Sequence, residues 1–287
     1  MNTVLAVGAA GMFAGLVVPE LAKRGAHVRG LVQDATQEDT VRKNGAAEVV
    51  AGDLTNRASI DSALEGVDAV FYIAPAFMPN EAAVGVRFVD AAKQAGVRRF
   101  VFSSVIDPIL GALENHAAKA PVEEALLASN MEYTFLHPAL FFQNIASAWP
   151  NVLNTGVYGE PWAIESRFSR VDYRDVAEVA AIALTEDRLM YGTFELCAEG
   201  RLNRTELAAL MSKAAGKKIE AVRATSPPSP ETLGKPGQPS PMSLMFDYYD
   251  KHGLVGNALT LRAILGREPR TLLAYLEELT EAASAPA

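Results

Sequence analysis

In the first half of the chain, short apolar runs alternate with longer amphipathic ones, and this alternation restricts the fold more than any other feature. The short runs are TVLAVG (3–8), HVRGLV (27–32), AEVVAG (47–52), DAVFYIA (68–74), RFVFSSV (99–105) and YTFLHP (133–138). They are rich in Val, Ile and Phe and nearly uninterrupted, as strands buried on both faces of a parallel sheet are. Between them lie the helix patterns MFAGLVVPELAKRG, EDTVRKNG, RASIDSALEG, NEAAVGVRFVDAAKQAG and HAAKAPVEEALLAS, several stopped by a glycine suited to a C-terminal cap. Strands alternating with helices in this way predict a doubly wound α/β sheet.

After Pro138 the rhythm breaks. An aromatic piece, ALFFQNIASAW, leads to a loop with Gly156 and Gly159, a helix YRDVAEVAAIALTED and a strand TFELCA. Further on come a helix NRTELAALMSKAAG, a strand KIEAVRA and three short helical patterns at the end. Ser226 to Pro241, SPPSPETLGKPGQPSP, is too rich in Pro and Gly for regular structure and reads as a linker or a flap. There is no internal repeat.

A formal net charge of −8, with no basic cluster beyond Arg98–Arg99 and Lys217–Lys218, argues against nucleic acid as a partner. The single cysteine, Cys197, forms no internal disulfide and supplies no metal quartet, so the expected setting is reducing and cytoplasmic. Residues 3–18 resemble the apolar part of a signal peptide, yet no basic segment precedes them and PELAKRG follows at once. The run is also short for a bilayer span, so neither export nor a membrane partner is expected.

Gly8, Gly11 and Ala14 form GAAGMFA between a strand and a helix, where small residues let the backbone approach a pyrophosphate and the helix start offers N–H donors. The glycine spacing alone fits a packing turn as well. Two further strand ends agree with the nucleotide reading: GDL (52–54), where adenine would lie, and YIAPAF (72–77), where ribose and nicotinamide would pass. All three sit at carboxyl ends of strands, the ligand edge of an open α/β sheet.

GAAGMFA, GDLTN, VFSSV, the block NHAAKAPVEEALLASNMEYTFLHPALFFQN and the late GREPRTLLAYLEEL together resemble the NmrA-like family of atypical short-chain dehydrogenases/reductases. The resemblance implies a Rossmann domain over 1–150, which also receives parts of 170–200. It further implies a smaller, discontinuous substrate lobe over 151–287. It also implies an NAD(P) site made by Gly8, Ala10, Gly11, Met12 and Phe13, then Gln33 and Asp34, Asp53 and Leu54, Ala74 and Pro75, and finally Ser103, Lys119 and Pro138. Family activities include quinone and other small-molecule reductions, and some members bind the nucleotide without catalysis.

Gln33 stands where relatives that prefer NADP carry arginine, which leaves NADPH against NADH open; Arg42 or Lys43 is the alternative cation for a 2′-phosphate. Asp34 is read either as a ribose acceptor or as a helix cap. Ordinary members of the superfamily pair a tyrosine with a lysine one turn later; here the tyrosine position is Asn115, which delivers no proton at neutral pH, while Lys119 matches the lysine. Lys119 is read as a cofactor contact, with a solvated helix lysine as the alternative. His116 is a general acid, a ribose contact or a surface histidine. Pro121 is expected to bend the helix just beyond Lys119 and so aim it into the cleft.

Ser103 and Ser104 line the nicotinamide or satisfy backbone, and His137 marks a strand end. The aromatics and methionines around the Pro-rich flap point to an apolar or aromatic small-molecule substrate. No residue spacing suggests a metal or a nucleophilic triad. The competing functions are an NAD(P)H-dependent reductase, a nucleotide-sensing regulatory protein and a nucleotide-using isomerase or dehydratase, acting as a monomer or homodimer.

Overall fold

The computed structural model describes residues 2–75, 78–224 and 240–284. Residues 226–239 of the expected flap, and Phe77, lie outside the described residues. The elements begin with β1 (Thr3–Val7), α1 (Ala14–Lys23), β2 (His27–Val32), α2 (Glu38–Lys43), β3 (Glu48–Ala51), α3 (Arg57–Leu64), β4 (Ala69–Tyr72), α4 (Glu81–Gln94) and β5 (Arg99–Ser103). They continue with α5 (Glu114–Ala117), α6 (Ala120–Leu127), β6 (Glu132–Pro138), β7 (Leu140–Phe141), α7 (Trp149–Thr155), β8 (Val157–Glu160) and β9 (Phe168–Val171). The remainder are α8 (Tyr173–Thr185), β10 (Gly192–Leu196), β11 (Arg201–Leu202), α9 (Arg204–Ala215), β12 (Glu220–Arg223), α10 (Pro241–His252), α11 (Leu259–Leu265) and α12 (Leu272–Ser284).

The chain divides into two compact units. The first comprises Met1–Leu110, Asn115–His137 and Val176–Phe194; the second comprises Gly111–Glu114, Pro138–Asp175 and Glu195–Ala287. Residues 138–150, which the sequence reading assigned to the first domain, cluster with the second unit.

A seven-stranded sheet in the order β10-β6-β5-β4-β1-β2-β3 organises the first unit. Its pairs from β2–β3 through β5–β6 are parallel, in the register Val7 to Leu31, Ala6 to Phe71, Tyr72 to Phe102 and Ser103 to Leu136. This is the α/β doubly wound, Rossmann-like architecture that the alternation predicted. Both faces of the central strands are buried, which is why their runs are almost wholly apolar. One face, with Leu5, Val70, Tyr72, Phe100 and Phe102, packs on α3, α4 and α6 through Ile60, Phe88, Val122 and Leu126. The Tyr72 ring lies 4.9 Å from that of Phe88 and 5.8 Å from that of Phe102, centroid to centroid. Strand order reverses at β1: the chain winds outward through β2 and β3, then crosses to β4 on the other side. The loops after β1 and β4 therefore diverge, leaving a crevice at the carboxyl edge.

The second unit has its own core, with Phe142, Trp149, Tyr158, Leu207, Met211, Leu272 and Leu276 packed together. Asp175 is fully buried and accepts from Arg267 Nη2 at 2.9 Å and from the Arg270 backbone N–H at 2.7 Å, which ties the GREPR segment to the start of α8.

Candidate dinucleotide site at the carboxyl edge

The chain leaves β1 through a left-handed residue. Gly8 has φ +73°, a region that side chains rarely enter, and its carbonyl accepts from Gly11 N–H at 2.8 Å. The Gly8 and Ala9 N–H groups donate to the Leu31 carbonyl, each at 3.0 Å, so the turn is tied to the end of β2. The helix begins at Ala14, two residues later than the sequence suggested, because Met12 and Phe13 complete the turn. Among the described residues no hydrogen bond takes up the N–H of Ala10, Met12 or Ala14, and Gly11 and Met12 are exposed. Open main-chain donors at the start of a ten-residue helix make an anion cradle.

At the ends of β2 and β3 the carboxylates serve their own turns. Asp34 accepts from Thr36 N–H at 2.8 Å and completes a capping box with Gln37. Asp53 accepts from the Thr55 N–H at 2.7 Å and from its hydroxyl at 2.8 Å. These bonds, the backbone one foremost in each case, hold both carboxyls below their ordinary pKa, so both remain anionic. Gln33 is exposed beside Asp34. Arg42 is engaged by Glu38 Oε1 at 2.7 Å and by the Ala47 carbonyl at 2.8 Å, just before β3 begins. The last turn of α2, with Arg42 and Lys43, therefore stands toward the amino edge of the sheet, away from Gln33.

Beyond β4 the side chains close on one another. Lys119 is 9% exposed and Glu81, the first residue of α4, is 6% exposed, and the two form an ion pair. The Tyr72 hydroxyl, at the end of β4, is buried without a hydrogen-bond partner; burial first, and then the Glu81 charge, push its pKa far above the ordinary phenol value. One turn along α6, Glu123 accepts from Ser104 Oγ at 2.5 Å and from His137 Nε2 at 2.8 Å. His137 at its strand end is thus joined to α6.

The helix containing Lys119 is broken, but the break precedes Pro121. α5 ends at Ala117, and α6 starts at Ala120 with Lys119 as its N-cap residue and Pro121 inside its first turn. Proline fits a first helical turn, where its missing N–H costs nothing. The expected bend beyond Lys119 is corrected accordingly, and the lysine points at Glu81. His116 is fully buried with Nδ1 3.2 Å from the Asp107 carbonyl oxygen. Burial lowers its pKa, so the imidazole stays neutral. The Asn115 Oδ1 is buried without a hydrogen-bond donor.

The carboxyl edge thus gathers Gly8, Ala10, Gly11, Met12 and Phe13; Gln33 and Asp34; Asp53 and Leu54; Ala74 and Pro75; and Ser103, which is buried. Pro138, buried at the end of β6, belongs to the second unit. Sequence reasoning missed Glu81, Glu123 and the Tyr72 hydroxyl. Glu81 looks like any acidic residue opening a helix, and no local spacing announces a partner 38 residues away.

The sequence matches the NmrA-like family over residues 1–278. The chain belongs to this family. It is 28% identical to the NAD(P)H azoreductase of Xenophilus azovorans over 95% of this chain and 96% of that protein. Citrobacter sp. triphenylmethane reductase superposes with a TM-score of 0.82 at 22% identity, covering 98% of this chain and 100% of the reductase. The negative transcriptional regulator NmrA, solved in complex with NAD, gives 0.78 at 19% identity, covering 99% and 98%. Among the described residues no helix is long and apolar enough to cross a membrane, and no His, Cys, Asp and Glu cluster suits a metal ion.

Proposed function

We propose that this NmrA-like chain is an NAD(P)H-dependent reductase of a small apolar or aromatic ketone, quinone, enone or imine. The observation that carries the reading is the turn after β1: a left-handed Gly8 followed by the uncommitted N–H groups of Ala10, Met12 and Ala14, at the point where strand order reverses. Those donors fit a pyrophosphate. Gln33 and Asp34 reach the adenosine ribose, Asp53 and Leu54 border the adenine, and Ala74, Pro75, Ser103 and Lys119 serve the nicotinamide end, with Pro138 beyond. The azoreductase and the triphenylmethane reductase support the activity by their likeness.

A dihydronicotinamide, when bound, supplies the hydride. The protein binds, orients and excludes water. Lys119 Nζ, with one hydrogen bond to Glu81, retains N–H donors for a ribose hydroxyl. Asn115 offers a buried acceptor and no acidic proton. His116, buried and neutral, is held by a backbone carbonyl and is better suited to fixing the segment before α6 than to protonating a substrate. The proton therefore comes from water, which favors acceptors whose reduced form is a stabilised anion, such as quinones, over simple ketones.

Absence of a proton donor at Asn115 equally suits a non-catalytic NAD(P) sensor of the NmrA kind. One experiment separates the two: NADH and NADPH oxidation against a panel of quinones, enones, ketones and imines. Turnover with any of them supports the reductase. No turnover, with partner binding that differs between oxidised and reduced cofactor, establishes the sensor.

A further inference from the structure

α4 and α6 both begin at the carboxyl edge and run side by side down the same face of the sheet. They pack closely where Gly85 meets Val122; a Cβ on Gly85 would stand 2.5 Å from Val122 Cγ2. One turn nearer the edge, the same two helix faces present Glu81 and Lys119. The close approach that only glycine allows thus sets the register in which carboxylate and ammonium meet. Glu81 opens α4, where the helix dipole favors an anion, but Lys119 opens α6, where the dipole opposes a cation. The lysine is also almost fully buried. Two unfavorable terms act on its charge, and one carboxylate answers both.

We propose that Glu81 is the positioning residue of the nicotinamide end, holding the Lys119 ammonium in its ion pair and aimed at the cofactor ribose. The inference rests on the reading of Lys119 as a cofactor contact. Among the described residues, the titratable groups around Lys119 are Glu81 on α4, Tyr72 on β4, His116 on α5 and Glu123 on the next turn of α6. Tyr72 titrates far above the working range and His116 below neutrality. Glu123 is engaged by Ser104 and His137. Glu81 is therefore, among the described residues, the carboxylate that pairs with Lys119.

The test is the dissociation constant for NADH, by fluorescence titration from pH 7 to 10, on the full chain. The native protein should give a flat profile. Glu81→Gln keeps the shape and an acceptor but removes the charge. An unpaired buried ammonium loses its proton earlier, so affinity should fall about tenfold across this range. Glu81→Asp keeps the charge and should give a flat profile at weaker affinity, which holds the test open if the glutamine variant folds poorly. In Glu81→Gln/Lys119→Arg, whose guanidinium does not deprotonate, the alkaline loss should vanish. A flat profile in Glu81→Gln, while Lys119→Ala weakens binding, overturns the role of Glu81 alone. Unchanged affinity in Lys119→Ala overturns the inference through its premise, leaving the glycine turn as the cofactor site.

Discussion

At the turn after β1 the donors of the site are main-chain N–H groups beside the exposed Gly11 and Met12; on the β4–β5–β6 side of the switch point, the polar groups are buried or half-buried side chains paired with one another. The exposed Gly11–Met12 turn lets solvent reach its main-chain donors, so that cradle stands ready at little cost to the fold. Lys119 on Glu81, and Glu123 between Ser104 and His137, have no such alternative: each depends on a partner from a distant element. One side is assembled by local turn geometry, the other by helix packing, and they should fail differently.

The largest effect is expected where a buried partner is removed. Lys119→Met leaves Glu81 buried without its cation and should lower unfolding free energy by about 3 kcal/mol. Glu81→Leu combined with Lys119→Met should recover most of that loss in denaturant titrations, because the stranded charge is gone. Equal losses in single and double variants would mean that the pair is not coupled.

Across the switch point, Gly11→Val should leave stability near native while cofactor affinity drops by about a hundredfold or more, near 2.7 kcal/mol. A Cβ there would stand 3.0 Å from the Gly8 carbonyl oxygen, in the middle of the cradle. Calorimetric titration alongside circular dichroism checks it, and undiminished binding would remove the pyrophosphate from this turn.

The six strands of the first half were legible because a strand buried on both faces leaves a continuous apolar run, and GAAGMFA was legible because its geometry depends on adjacent residues. The break at Lys119 was misread by two residues: Pro121 was visible, but proline both ends helices and begins them, and sequence alone does not say which. Glu81 was invisible, since its meaning comes from Gly85 against Val122 and from nothing within its own turn. The sequence leaves Asp34 as a ribose acceptor or a helix cap and reads Asp53 as a nucleotide contact; in the fold Asp34 caps its own turn and Asp53 anchors the turn after β3.

A smaller effect sharpens the β2 end. With Gln33 neutral, Asp34 anionic, and Arg42 and Lys43 toward the far edge, NADPH should bind no better than NADH. Gln33→Arg should raise NADPH affinity about tenfold, near 1.4 kcal/mol, and barely alter NADH. Dissociation constants for both cofactors check it; strong native preference for NADPH would require another cation at the 2′-phosphate.

The smallest effect concerns His116. Its folded pKa lies below its unfolded value, so the unfolded chain binds the proton more readily. Its contribution to stability is complete above about pH 6.5 and declines as pH falls through the folded value. Melting temperatures at pH 5 and 7.5 should differ by less in His116→Gln than in the native protein.

The first unit takes β10 as its edge strand beside β6, and β10 ends only at residue 196. During synthesis, the ribosome must therefore deliver about two-thirds of the polypeptide before β6 receives its neighbor. In that interval its unpaired backbone is a template for pairing with another nascent chain. A fragment cut at residue 150 keeps that edge exposed permanently and should aggregate on expression, whereas a cut after β10 would not suffer for this reason.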